Sequence, residues 1–147
     1  MTRSEQALNA LAAKAAVTAG LLNIGAYIAQ ISIALLMLGL LLWLLGQPLS
    51  YPFLLAAMTM ALVQVYFALR VRFDANIFRT WATRWHGGAD PRADLIDFDR
   101  QIGRKAVPGA DVEADLTSRR NGALQLMRLQ IACVVMQLLM TAIAFWL

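Results

Sequence analysis

The feature that most constrains this chain is a stretch of 55 consecutive residues that carries no charge. It lies between Lys14 and Arg70 and contains no Asp, Glu, Lys or Arg. A soluble domain of 147 residues has too small an interior to bury a neutral segment of that length, whereas a lipid bilayer accepts one readily. The hydrophobic fraction of 60% and the charged fraction of 15% point the same way. The sequence therefore predicts an integral membrane protein.

Three apolar segments are long enough to cross a bilayer as helices, since a hydrocarbon core of about 30 Å needs roughly 20 helical residues. They cover about 24–46, about 52–70 and 129–147. Between the first two, Gly46 and Pro48 indicate a helix stop, and Pro52 indicates a new helix start. The predicted fold is all-α: a polytopic membrane protein with three transmembrane helices in a single membrane domain over 1–147.

The basic residues predict the direction of each crossing. Of the 13 Lys and Arg residues, Arg3 and Lys14 precede the first span, and the others lie between the second and third spans. With three spans these two segments share one side, which the positive-inside rule identifies as cytoplasmic. Trp43, Tyr51 and Trp146 would then lie at the outer interface, which amphipathic rings prefer. We expect a cell (inner) membrane location with a cytoplasmic N-terminus and an extracytoplasmic C-terminus.

The segment between the second and third spans predicts a cytoplasmic helical hairpin with a short cap helix. No Gly or Pro interrupts the chain from Arg70 to His86, so the second helix is expected to continue to residue 86. Helix-start signals at Asp90 and Asp111 predict a short helix over about 91–103 and a long one over about 112–147 that includes the third span. The alternative is that the helix bearing Trp81 and Trp85 lies flat on anionic headgroups.

Small side chains recur every seven residues along the first helix. The positions from the start of the span are Gly25, Ser32, Gly39 and Gly46, and Thr18 continues the series toward the N-terminus. Small residues let helix backbones approach closely in lipid. This stripe is predicted to be a helix-packing interface, either within the protein's own bundle, with another copy or with a different subunit.

Three glutamines interrupt the apolar spans, namely Gln30, Gln64 and Gln137. At 1.5 Å of rise per residue, each lies within roughly 7 Å of the predicted midplane. Amides in hydrocarbon need hydrogen-bond partners, so these side chains are expected to bond across helices. A polar site for an ion, a substrate or a quinone is the alternative, although such sites in pumps and transporters usually hold ionisable groups.

Other candidates for chemistry have ordinary structural interpretations. Asp94, Asp97 and Asp99 are expected to form a solvated helix face paired with Arg92 and Arg100. The chain has one histidine and one cysteine, so one copy holds neither a disulfide nor a histidine-rich metal site. His86 is interpreted as a helix-terminal residue and Cys133 as a small packing residue. No metal, cofactor or catalytic residue is predicted.

These features predict a non-enzymatic accessory, assembly or scaffolding subunit of a larger membrane complex. Its cytoplasmic docking residues are predicted to be Arg72, Arg79, Trp81 and Trp85. Membrane lipid and other membrane subunits or further copies are the expected partners. Nucleic acid is not expected, because acidic residues accompany the cations of the cytoplasmic segment. A small homo-oligomeric channel or transporter, and a membrane-bound immunity or regulatory protein, are the alternatives.

Overall fold

The computed structural model describes residues 2–46, 50–103 and 111–146, and within them every regular element is a helix. In chain order the helices are α1 (Arg3–Leu44), α2 (Tyr51–His86), α3 (Pro91–Gln101) and α4 (Val112–Trp146). The prediction of an all-α fold is confirmed for these residues. By length and composition, α1, α2 and α4 could each cross a membrane. Pro48 of the predicted turn lies outside the described residues.

The helices begin where the sequence carries start signals. At the N-terminus the backbone N–H of Thr2 donates to Glu5 Oε2 at 2.7 Å, and that of Glu5 donates to Thr2 Oγ1 at 3.3 Å. This reciprocal capping box starts α1 at Arg3, far before the predicted span. The carboxylates of Asp90 and Asp111 likewise accept backbone N–H groups in the first turns of α3 and α4.

The chain forms two compact units. Unit 1 consists of Met1–Leu21 and Phe73–Ala123, and unit 2 consists of Leu22–Arg72 and Leu124–Leu147. Helix α3 belongs to unit 1 alone, whereas α1, α2 and α4 contribute residues to both units. Unit 1 therefore includes the start of α1, which the predicted hairpin and cap omitted.

The first part of α1 belongs to the interior of unit 1. It buries Ala12, Ala15 and Ala19, and Lys14 forms an ion pair with Glu113 of α4. Unit 1 therefore contains three long helical segments and α3, and the hairpin of 70–86 with 112–128 stays a prediction. Alanine side chains carry little apolar area, so the hydrophobic pattern of this face is weak.

Unit 2 is a three-helix bundle whose buried positions recur every seven residues. In α1 they are Gly25, Ser32 and Gly39; in α2, Ala57, Gln64 and Val71; in α4, Gln130, Gln137 and Ala144. A seven-residue repeat keeps one seam of each helix facing its neighbours when the helices wrap around each other with a left-handed twist.

The direction of each helix follows from the contacts of α1. Gly25 adjoins Gln130 and Ser32 adjoins Gln137, so α1 and α4 run in parallel with a constant offset of 105 residues. A Cβ on Gly25 would approach Val71, whereas one on Gly39 would approach Leu54. Residue numbers rise along α1 as they fall along α2, so these two helices are antiparallel.

The predicted small-residue stripe lies at this interface except at its last member. A Cβ on Gly25 would come within 2.9 Å of both Gln130 Oε1 and Val71 Cγ1, so only glycine fits without a shift of these neighbours. Gly46, in contrast, is exposed, follows the end of α1 and has a φ of +73°. Its assignment to the packing face is corrected, because it occupies a left-handed turn that favours glycine.

Candidate functional site

An aromatic cluster forms the interior of unit 1. Trp81 and Trp85 stack with their ring centroids 5.7 Å apart, and Phe78 and Phe98 each meet Trp81 edge-on at 5.4 Å. Trp85 is 0% exposed, and Trp81 is also buried. Trp81 and Trp85 are predicted docking residues, but both are buried, because α3 contributes Phe98 to the cluster and the rings form the core of the unit.

A buried carboxylate completes this core. Asp94 is 8% exposed, accepts the indole Nε1–H of Trp85 at 3.0 Å and pairs with Arg84 Nη2 at 2.7 Å. The expectation of a solvated acidic face paired with Arg92 and Arg100 is therefore corrected at Asp94, and also at Asp99, whose side chain is 13% exposed and pairs with Arg119. Asp97 fits that expectation, since it forms an exposed pair with Arg100. The partners of Asp94 belong to α2, so the spacing of residues within α3 could not indicate them.

Arg119 of α4 joins the acidic residues of two helices. Its Nη2 donates to Asp99 at 2.7 Å and to Asp115 at 3.0 Å, and its guanidinium lies over the rings of Trp81 and Phe98. Burial lowers the pKa of Arg119, but the hydrogen bonds and charges of the two carboxylates outweigh it and raise the pKa above its ordinary value. The side chain is only 10% exposed and remains charged.

An open groove of about 310 Å³ lies between α2 and α3 of unit 1. Its lining residues are Phe73, Asn76, Ile77, Thr80, Trp81, Arg84, Asp94, Asp97, Phe98 and Gln101. Aromatic rings, amides, a hydroxyl and an ion pair thus surround one concave surface. Such a surface suits an amphipathic side chain or segment, because apolar contacts and hydrogen-bonding groups are both available.

Of the four predicted docking residues, Arg72 and Arg79 remain exposed, one in each unit and seven residues apart on α2. Asn76 lies between them at helical spacings of four and three, so Arg79 and Asn76 are on the same side of α2 within unit 1. Arg79 therefore borders the groove that Asn76 lines.

The glutamines of unit 2 differ from one another in their surroundings. Gln137 is buried, donates from Nε2 to the backbone oxygen of Ser32 at 2.9 Å and accepts the Ser32 hydroxyl at 2.5 Å. Gln130 is buried in the same way and donates to the backbone oxygen of Gly25 at 2.7 Å. In both cases an amide of α4 lies against a small residue of α1 and joins the two helices. A hydrogen bond across helices is the role predicted for Gln137.

Gln130 was missed because it lies at the start of the third span, far from the midplane. Its spacing of seven residues from Gln137 equals that of Gly25 from Ser32, and this match could have identified it. Gln30 was predicted to hydrogen-bond across helices, but it is exposed and lies outside the interior of the bundle. The seven-residue seam of α1 passes through Ser32 and leaves Gln30 on the outer side.

Gln64 is the least satisfied polar side chain of the bundle. It is 0% exposed, and neither Nε2 nor Oε1 has a hydrogen-bond partner among the described residues. Because α1 and α2 are antiparallel and Gly25 adjoins Val71, Gln64 lies at the level of Ser32, seven residues further along each helix. The layer of Ser32, Gln64 and Gln137 therefore combines a bonded amide with an unbonded one.

Leucine at these two positions is expected to change stability in opposite directions. Gln64→Leu removes an unsatisfied buried amide and should raise the free energy of unfolding by about 1–3 kcal/mol. Gln137→Leu removes two hydrogen bonds to Ser32 and should lower it by about 1–3 kcal/mol. Thermal unfolding of both variants in detergent micelles checks this, and shifts of the same sign would contradict the different roles of the two amides.

Among the residues that the structure describes, no group of three or more His, Cys, Asp or Glu side chains could hold a metal ion. His86 is exposed at the end of α2, and Cys133 of α4 is a half-buried free thiol.

Comparison of the chain with protein-family models, with curated proteins and with solved structures finds no match.

Proposed function

We propose that this chain is a polytopic membrane protein that acts as a non-enzymatic accessory, assembly or scaffolding subunit of a larger membrane complex. In this proposal unit 2 lies in the bilayer and unit 1 lies in the cytoplasm. The surface that receives the partner is the groove of unit 1 together with Arg79 of α2, which borders it. The support comes from the distribution of charge, from the surface of unit 2 and from the groove.

The distribution of charge supports the membrane location. Every acidic residue of the chain falls in unit 1, and the charged residues of unit 2 are Arg70, Arg72 and Arg128. These three arginines lie close to the borders of unit 2, at Arg72 and Leu124. Unit 2 thus has the charge pattern of a lipid-embedded bundle, with cations at the ends that adjoin water.

The surface of unit 2 supports the same location. Within the most apolar window of each long helix, at most 22% of residues are buried inside the protein. The rest present large apolar side chains outward, among them Leu62 of α2 and Leu138 of α4. Water would make such a surface unfavourable, whereas lipid tails or neighbouring helices match it.

The topology follows from the cations. Arg3 and Lys14 at the start of α1 belong to the same unit as most of the other basic residues. With three crossings, the positive-inside rule then supports a cytoplasmic N-terminus and an extracytoplasmic C-terminus in the inner membrane of the cell. Reporter fusions after residue 49 and at the C-terminus should both report the extracytoplasmic side.

The groove is the observation that carries the docking proposal. The core of unit 1 is already complete, since Trp85 bonds Asp94 and Arg119 bonds Asp99. Phe73 nevertheless stays half exposed at the groove, and Arg79 is exposed beside it. Exposed aromatic and arginine side chains beside a concave surface are typical of protein interfaces, where both residue types are enriched.

The test is loss of a partner when the charge beside the groove is removed. We expect the tagged wild-type protein, extracted from native membranes in mild detergent, to migrate with a stoichiometric partner on blue-native gels. The variant Arg79→Gln should lose that partner, because the exposed cation beside the groove is gone. The matched control is Arg120→Gln, which removes the same charge from an exposed arginine of α4, a helix that contributes no lining residue to the groove.

A wild-type protein that migrates as a lone monomer at native abundance would contradict the proposal. Equal loss of the partner in Arg79→Gln and Arg120→Gln would contradict the assigned surface, since charge alone would then explain the loss. The channel and immunity alternatives stay predictions. For a channel, flux through purified protein in liposomes should depend on Gln64 or Gln137.

A further inference from the structure

The outward face of α1 carries an amide in the middle of an apolar surface. Gln30 is exposed, and the two residues one helical turn to either side, Ala26 and Ala34, are exposed as well. The three positions are four residues apart, so they follow one another along the same side of the helix. Their neighbours on the outward surface include the large apolar side chains of Ile31 and Met37.

The depth of Gln30 makes this exposure unfavourable in lipid. Because Gly25 adjoins Val71 and the two helices are antiparallel, Arg70 lies near the level of residue 26. Gln30 is therefore about 6 Å deeper than Arg70, the first charged residue of α2, at 1.5 Å of rise per residue. A side-chain amide at that depth finds no water, and hydrocarbon offers neither a donor nor an acceptor.

We infer that α1 pairs in parallel with α1 of a second copy, through a face in which the two Gln30 amides hydrogen-bond each other. This inference rests on the proposed membrane insertion. An amide carries both a donor and an acceptor, so the group is complementary to itself. Copies inserted with the same topology hold Gln30 at the same depth, and a two-fold axis along the membrane normal brings equal residues together.

The flanking residues permit this approach. Ala26 and Ala34 are small, and small residues spaced by four let two helix backbones come close in a membrane. The bundle already uses the same combination internally, where Gln130 meets Gly25 and Gln137 meets Ser32. The outward face carries the same combination of an amide and small residues, with Gln30 between two alanines. In the dimer each copy supplies one half of the contact.

Disulfide trapping in native membranes tests the geometry. On a Cys133→Ala background, Ala26→Cys places a thiol on the proposed face, and Ile31→Cys places one on another exposed position, about 140° around the helix from Ala26. We expect mild oxidation to give a dimer of twice the chain mass from Ala26→Cys and none from Ile31→Cys. Dimers from both variants, from neither, or a cross-link to a protein of different mass would each overturn the inference.

Substitution of the amide tests its role. Gln30→Leu should weaken self-association by about tenfold in a fluorescence energy-transfer titration in bicelles, whereas Gln30→Asn should retain most of it. Unchanged association in Gln30→Leu would overturn the inference. The two proposals fail separately: disulfide dimers without a partner at the groove would contradict only the docking function, and a groove partner without dimers would contradict only the inference.

Discussion

Replacing Trp85 with alanine is expected to lower the free energy of unfolding by about 3–5 kcal/mol, the usual cost of removing a large aromatic side chain from a packed core. The residue is fully buried, stacks on Trp81 and donates to Asp94. The variant both opens a cavity and leaves a buried carboxylate with one partner fewer. Thermal unfolding in detergent micelles, followed by the near-ultraviolet circular dichroism of the remaining tryptophans, measures the effect.

Two further variants separate packing from hydrogen bonding. Trp85→Phe keeps most of the ring contacts and removes only the N–H donor, so a smaller loss of about 1–3 kcal/mol is expected. Trp146→Ala removes the same side chain from a position that is 88% exposed and should change stability little. An equal effect of the alanine substitutions at Trp85 and Trp146 would contradict the assignment of Trp85 to the core.

Replacing Arg119 with methionine should be about as costly, at about 3–5 kcal/mol, because it removes one partner of a nearly buried ionic network. Asp99 and Asp115 would lose their cation, and Trp81 would lose the guanidinium above its ring. Methionine keeps much of the apolar stem, so the loss of stability reports the charge more than the packing. Chemical unfolding in micelles at neutral pH gives the magnitude.

The adjacent arginine is the control for this substitution. Arg120 is exposed, so Arg120→Met makes the same chemical change one residue later and should have little effect on stability. Adding Asp99→Asn to Arg119→Met should recover part of the lost stability, since the unpaired carboxylate is then neutral. A double variant no more stable than Arg119→Met would show that the network does not act through charge pairing.

The long helices and the seam between them are the parts that the sequence predicted best. The charge-free stretch indicated helices long and apolar enough to span a membrane, and the seven-residue spacing of Gly25, Ser32 and Gly39 marked positions that the structure buries. Both features are local, since they depend on the composition and period of single segments. A pattern of that kind can be read without knowing which helix lies opposite.

The surroundings of individual polar side chains could not be predicted in this way. Gln30 and Gln64 lie in similar apolar segments, yet one faces outward and the other is fully buried. The difference depends on how each helix is rotated toward its neighbours, which composition does not determine. For Gln130 and Gln137 the facing side of the helix is indicated by their spacing of seven residues, which equals the spacing of Gly25 and Ser32 on α1.

The aromatic residues of α2 show a second limit. Trp81 and Trp85 lie on one face of α2. Such a face is expected both for a docking surface and for a core that another helix of the same chain covers. The helix that covers them is α3, which contributes Phe98 and Asp94. Its cap at Asp90 was predicted correctly, and it ends at Gln101 rather than at about residue 103. The partner of Asp94 is a side chain nine residues earlier, on another helix.

The separation of 105 residues between the bonded positions of α1 and α4 has a consequence for biosynthesis. When the ribosome has completed α2, the Gln130 and Gln137 amides that bond Gly25 and Ser32 are not yet translated. On the proposed membrane insertion, the first two spans therefore stay without their α4 contacts until the last helix is made. The last helix completes the bundle, so an insertion chaperone would have its longest opportunity to act while that helix is being made.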